Sequence, residues 1–155
     1  MNDSELKTAL REMLQTELEA MLYYQQACRF MKDEGAVYHF NLLAQEELEH
    51  ARTFHSVYPG SDLPTLENLV QELPKSIDLI EDLGHGTLAG MTEQSALQLA
   101  MELEGSVAEK LRQLLKEVQS PAARAAIEGN IESTLGHLEL ISEDYRRLFG
   151  GDETD

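Results

Sequence analysis

Four long stretches of this chain place apolar residues three or four positions apart, the period of an α-helix with one buried face. The first runs through Leu6, Leu10, Met13, Leu14, Met21, Tyr24, Ala27, Cys28 and Met31, and Gly35 reads as its C-cap. The second runs through Val37, Phe40, Leu43, Ala44, Ala51, Phe54 and Val57 and stops at Pro59-Gly60. Thr92-Glu93 opens a third, which includes Ala96, Leu97, Ala100, Val107, Leu111, Leu114 and Val118. Ser120-Pro121 reads as the N-cap and first helical position of a fourth, carrying Ala123, Ile127, Ile131, Leu138, Ile141, Tyr145 and Leu148 up to Gly150-Gly151.

These signals predict helices over about 4–34, 36–58, 92–119 and 121–149. No segment alternates like a strand between hairpin turns, so the expected class is all-α. The very short first and third connections predict two antiparallel helical hairpins, together an antiparallel four-helix bundle. Residues 59–91 form a long crossover in which Leu66, Leu69, Val70 and Ile77, Ile80, Leu83 suggest short helical turns. A single domain spanning 1–155 is the expectation at this length.

Charge narrows the partners. Asp and Glu number 29 against 12 Lys and Arg, a net charge of −17. Such a surface repels phosphate backbones and anionic membranes and attracts cations, so neither nucleic acid nor membrane is expected as a partner. No apolar stretch is long enough to span a bilayer. The first residues show no basic region followed by an apolar run, so no signal peptide is expected. Cys28 is the lone cysteine, which excludes an intrachain disulfide and CxxC motifs and suits a reducing, cytoplasmic setting.

Polar residues interrupt the apolar stripes at a few places. Glu17 lies between Met13/Leu14 and Met21/Tyr24, and Glu47 and His50 lie between Leu43/Ala44 and Phe54. Glu104 lies between Ala100 and Val107, and His137 between Ile131 and Ile141, with Asn130 and Thr134 on the same stripe. A buried carboxylate is costly unless it is neutralised, and these stripes contain no Lys or Arg. A cation that is not a side chain is the natural counter-charge. Carboxylates with imidazoles suit iron, manganese or zinc. The competing interpretations are carboxylates at the edge of the core with their heads in water, and histidines satisfied within it.

The spacings repeat. Glu17 precedes His50 by the same interval that separates Glu104 from His137, and a shift of 87 residues lays Leu10 on Leu97, Glu17 on Glu104, His50 on His137 and Tyr58 on Tyr145. A duplicated helical hairpin accounts for this. Glu47-Leu-Glu-His50 is a Glu-x-x-His pair, one helical turn apart on one face, so both side chains can grip one metal. A Glu from each of two helices with Glu-x-x-His from the other two is the ligand pattern of ferritin-like carboxylate sites. Tyr24, Tyr58 and Tyr145 read either as hydroxyl donors to such a site or as core aromatics. Glu46, Glu49 and Glu102 read as solvated face, and His39, His55 and His85 as surface or loop residues.

On Glu17 with Tyr24 seven residues later, Ala44-Gln-Glu-Glu47-Leu-Glu-His50-Ala, Ala100-Met-Glu-Leu-Glu104 and Gly136-His137-Leu-Glu-Leu-Ile, the chain resembles the rubrerythrin branch of the ferritin-like superfamily over most of residues 4 to 149. The resemblance implies a ferritin-like bundle around a di-iron site that reacts with oxygen or peroxide. It implies Glu17, Glu47, His50, Glu104 and His137 as metal ligands, and a homodimer by analogy. A ferroxidase that handles iron is the alternative within the same class. A helical bundle that has lost its metal and serves as an interaction or structural module is the alternative outside it.

The chain departs from that pattern at Thr134, where the fourth helix should carry a Glu, and at Val107, where an extra Glu is common. Cys28 alone cannot build a rubredoxin-like iron centre. Thr134 leaves three carboxylates to face two divalent ions, and the uncompensated charge repels the second ion. The second ion is therefore expected to bind more weakly than the first. Thr134→Glu is expected to raise the metal content retained after dialysis towards two ions per chain. Metal analysis of both proteins after dialysis checks this.

Overall fold

A computed structural model describes residues 1–76 and 90–150, and among these every regular element is helical. Helix α1 spans Asp3–Ala27, with Asn2 and Glu5 forming a reciprocal capping box at its start. A turn of 3₁₀ helix, Cys28–Phe30, follows it. Helix α2 spans Glu34–Ser56, capped by the Asp33 side chain accepting from the Ala36 N–H. A short helix, α3 (Leu66–Gln71), lies in the crossover. Helix α4 spans Glu93–Glu117 behind the Thr92 cap, and α5 spans Pro121–Tyr145 behind the Ser120 cap, running on into a π-helical turn at Arg146–Gly150.

The caps at Thr92 and Ser120 and the helix at Leu66 agree with the sequence. The turn expected around Ile77, Ile80 and Leu83 lies outside the described residues, as does His85. The first helix boundary is different. Gly35 does not cap α1; it sits in the first turn of α2, and α1 has already ended at Ala27. The cause is tertiary. The backbone N–H groups of Lys32 and Asp33 both donate to Glu93 Oε2, at 2.6 and 2.8 Å, which takes them out of any continuing helix. Met31 still buries its side chain against the core, so the apolar stripe outlasts the helix.

The long helices pack α1 against α2 and α4 against α5, with α2 against α5 and α1 against α4 joining the two pairs. Between them Phe40, Tyr24 and Tyr23 form an aromatic wedge. The Phe40 and Tyr24 rings meet edge to face at 5.0 Å, and Tyr23 and Tyr24 at 5.4 Å. Tyr23 also donates its hydroxyl to the Ala96 carbonyl at 2.6 Å, tying α1 to the start of α4.

A polar seam joins α2 to α5. His39 Nδ1 donates to Asp144 Oδ2 at 2.6 Å, and Asp144 is almost wholly buried. His39 is therefore not the partnerless surface residue the sequence suggests. Arg147 holds Asp144 and, with two further hydrogen bonds of 3.1 and 2.7 Å, the Asp33 cap of α2. The start of α2 thus meets the end of α5, and the two helices run antiparallel. No helix among the described residues is long and apolar enough to cross a membrane.

Phe40 is fully buried and Tyr38 is 66% exposed. Phe40→Ala is expected to cost about 3–5 kcal/mol through the cavity it leaves, and Tyr38→Ala to stay within about 0.5 kcal/mol of wild type. Denaturant midpoints of the two variants check this pair.

Candidate metal centre

Five of the polar residues that break the apolar stripes meet in the centre of the molecule. Glu17 from α1, Glu47 and His50 from α2, Glu104 from α4 and His137 from α5 are all buried, the two histidines retaining 7% and 4% exposure. None of the carboxylates has its head in water. Glu17, Glu47 and His50 bring one ligand atom each to within 4.8 Å of one another, and Glu47, Glu104 and His137 do the same. Glu47 belongs to both groups. Thr134 is buried on α5 beside them, one turn before His137.

The helical repeat explains the convergence. Glu47 and His50 are one turn apart, so they project from the same face of α2. Within each hairpin the imidazole then meets the carboxylate of the other helix: His50 Nδ1 lies 2.6 Å from Glu17 Oε2, and His137 Nδ1 lies 3.0 Å from Glu104 Oε1. Those two contacts are related by the 87-residue shift seen in the sequence. The two rings stack with centroids 5.3 Å apart and planes 13° from parallel.

Both Nδ1 atoms face the carboxylates, and both Nε2 atoms face outward. His50 Nε2 lies 2.9 Å from Ser133 Oγ, and His137 Nε2 lies 2.6 Å from Glu46 Oε1. Ser133 is the 87-residue mate of Glu46, so the exchange across α2 and α5 is reciprocal. It also continues the seam. Moving from His39 to Glu46 to His50 along α2 takes the same steps as moving from Asp144 to His137 to Ser133 back along α5. Glu46 is thus not simply solvated face. Its backbone lies off the apolar stripe, but its head reaches over to the neighbouring helix. The sequence signal for it was present in part, as a polar residue four before each of the two histidines.

Of the three tyrosines, only Tyr24 reaches the cluster. It donates its hydroxyl to Glu104 Oε2 at 2.9 Å while its ring packs on Phe40. Tyr58 donates to Asp62, and the Tyr145 hydroxyl accepts from Gln94 and Gln98. His55 meets the Pro64 carbonyl at the crossover. Asn130 donates to the Ala126 carbonyl inside α5, as a core hydrogen-bonder should.

The electrostatics are under-compensated. The ion-pair partners of Glu17, Glu47 and Glu104 are the two histidines, with Glu47 Oε1 2.9 Å from His50 Nδ1 and 3.7 Å from His137 Nδ1. Neither approach to Glu47 Oε1 has hydrogen-bond geometry. Glu47 Oε1 and Glu17 Oε1 are buried without a hydrogen-bond partner. Burial pushes the Glu17 carboxyl above its usual value, against the pull of His50. Burial pushes Glu47 well above it, and repulsion from Glu17 and Glu104 adds to this. Burial alone would lower His137, but its bonds to Glu104 and Glu46 outweigh that and raise it. Tyr24 is raised well above the phenol range by burial and the nearby Glu104.

Two orphaned carboxylate oxygens, three carboxylates and two imidazole nitrogens turned inward form a donor set of the kind that takes a divalent metal ion. The donor chemistry admits several metals and does not choose among them. The outward Nε2 atoms, each held by a neighbouring polar group, fix the rings in the orientation that ligation through Nδ1 requires.

No family model matches the chain, and no curated protein matches it. Among solved structures it is similar to a hypothetical protein from Pyrococcus furiosus, with a TM-score of 0.70 and 20% identity, over 94% of this chain and 90% of that one. That likeness is one of fold, a helical bundle shared nearly end to end.

The raised carboxyls and the raised imidazole have one consequence for stability. A group whose value in the fold lies above its unfolded value contributes stability that is complete below the unfolded value and is lost as pH climbs through the folded one. Glu17 and Glu47 start from 4.5 and His137 from 6.5, and all three shift the same way. The metal-free protein is therefore expected to melt at a higher temperature near about pH 5.5 than near about pH 8. Saturation with a divalent metal is expected to reverse that order, because ligation requires the deprotonated groups. Calorimetric melting curves with and without chelator check both signs.

Proposed function

We propose that this chain is a ferritin-like carboxylate–histidine metalloprotein of rubrerythrin type, an antiparallel four-helix bundle holding two iron ions. The observation that carries the proposal is the pair of buried Glu/Glu/His groups sharing Glu47, with two of their carboxylate oxygens lacking any hydrogen-bond partner. One ion would take Glu17, Glu47 and His50, the other Glu47, Glu104 and His137. Bound iron would supply the redox chemistry through which such centres reduce oxygen or peroxide, or oxidise ferrous iron on its way to storage.

The protein's own groups have definable tasks. Glu47 stands between the two groups and is the one side chain able to serve both ions. His50 and His137 would act as ligands through a deprotonated Nδ1, and Ser133 and Glu46 hold the rings in place through Nε2. Tyr24 fixes the Glu104 carboxylate through Oε2 and leaves Oε1 turned towards His137. Tyr24 carries the fully buried aromatic wedge it forms with Tyr23 and Phe40 up against Glu104.

A second reading, a bundle that no longer holds metal and acts as an interaction or structural module, draws on one observation, the buried Thr134 in place of a fourth Glu. Metal content separates the two. Protein purified without chelator or added metal is expected to carry iron, manganese or zinc, and near-zero content of all three would favour the metal-free module. Glu47→Ala is expected to abolish uptake of both ions, whereas Glu17→Ala should spare the ion held by Glu104 and His137. Anaerobic titration with Fe(II), read as stoichiometry, distinguishes these outcomes. Oxygen or peroxide consumption by the loaded wild type then tests the redox part.

A further inference from the structure

Glu46 and Ser133 occupy equivalent places in the two hairpins, yet only one of them is charged. Each stands four residues before a histidine of its own helix and meets the Nε2 of the histidine on the other. The outcome is unequal. His50 leans on a neutral hydroxyl at 2.9 Å, and His137 leans on a carboxylate at 2.6 Å. His137 is also the histidine of the half where Thr134 replaces a carboxylate.

The exposures give this asymmetry a physical sense. Glu47 and Glu104 are buried, and a further carboxylate at position 134 would be buried as well. The Glu46 side chain keeps 42% exposure. It lines a groove between α2 and α5 of about 330 Å³ whose floor includes His50, Asn130 and Ser133. A carboxylate at the edge of the core keeps its charge at a far smaller desolvation cost than one inside it. Through the imidazole that charge still acts on Nδ1, because a carboxylate accepting the outer N–H makes the ring a more basic ligand.

We infer that Glu46 is a positioning residue that supplies, through His137, the negative charge missing at Thr134, and so permits a second divalent ion to bind at Glu47, Glu104 and His137. This rests on the two-metal reading above. Three carboxylates in direct reach of two divalent ions leave the centre short of one charge, and Glu46 places that charge one ring away. Ser133 has no such role, since one turn before His50 the half it serves carries Glu47, where the other half carries Thr134.

The test is a titration of metal-free protein with Co(II) alone, an ion that resists air oxidation and whose visible bands report each bound equivalent. Wild type is expected to take two ions, the second more weakly. Glu46→Gln keeps an acceptor for the Nε2 proton and removes only the charge. It is expected to weaken the second ion by about 10- to 100-fold and to leave the first within about threefold. Ser133→Ala removes a neutral partner, 2.9 Å from His50 Nε2 and 3.5 Å from His137 Nε2, and is expected to weaken the second ion far less than Glu46→Gln does. Adding Thr134→Glu to Glu46→Gln is expected to restore it, because the charge then returns to the centre itself.

Equal binding of both ions by Glu46→Gln and wild type, with loss only in Glu46→Ala, would show that Glu46 is a hydrogen-bond acceptor and nothing more, and overturns the inference. So does a double variant in which Thr134→Glu fails to restore the second ion although the protein stays folded by circular dichroism. A wild type that takes one ion overturns it while leaving a mononuclear metal site. A wild type that takes none overturns the two-metal reading and the inference together.

Discussion

Three carboxylates packed into the middle of a helical core, with two imidazoles as their ion-pair partners among the described residues, set the terms for the rest of this molecule. A core of this kind gains nothing by burying Glu17, Glu47 and Glu104 for their own sake, since each loses its hydration and two of the six oxygens find no donor. The surrounding structure has to hold them there. The aromatic wedge packed on Phe40, the Tyr23 bond to α4 and the seam between α2 and α5 all act on the four helices that carry the cluster. The net charge of −17 adds a long-range attraction for cations from outside.

The helices were legible in the chain because an amphipathic period is a local property. Caps at Thr92 and Ser120 announced themselves through their own side chains and the residues just after them. The end of the first helix was not legible, because it depends on Glu93, some sixty residues further on, accepting the N–H groups of Lys32 and Asp33. No pattern around Gly35 encodes that. The five central residues could be found because each is a polar side chain in an apolar stripe, a contradiction visible without coordinates.

Glu46, Ser133, His39 and Asp144 escaped for a common reason. Their partners lie on another helix, and which residue of α5 faces which residue of α2 is set by how the two helices are rotated and slid against each other. Periodicity describes each helix alone and is silent on that. Once α2 and α5 are set side by side, the matched steps from His39 to His50 and from Asp144 to Ser133 follow, and the outward nitrogens of both histidines acquire partners together. The 87-residue repeat between hairpins then becomes informative through its exceptions. Tyr24 is answered by Leu111, Glu46 by Ser133 and Glu47 by Thr134. Each exception distinguishes one half of the cluster from the other.

The clasp formed by Arg147, Asp33, Asp144 and His39 lies at the far end of α2 and α5 from any of the central carboxylates. One residue of axial slippage between two helices amounts to about 1.5 Å, several times the tolerance of about 0.2 Å on a metal–ligand distance. Apolar side chains in a stripe can slide past one another and repack, whereas a slide of that size breaks the 2.6 Å bond between His39 and the buried Asp144 and pulls on the paired Arg147–Asp33 contacts. The clasp therefore behaves as a depth stop. By blocking translation at one end of the two helices, it sets the longitudinal position at which Glu47, His50 and His137 come level, two turns or more away from itself.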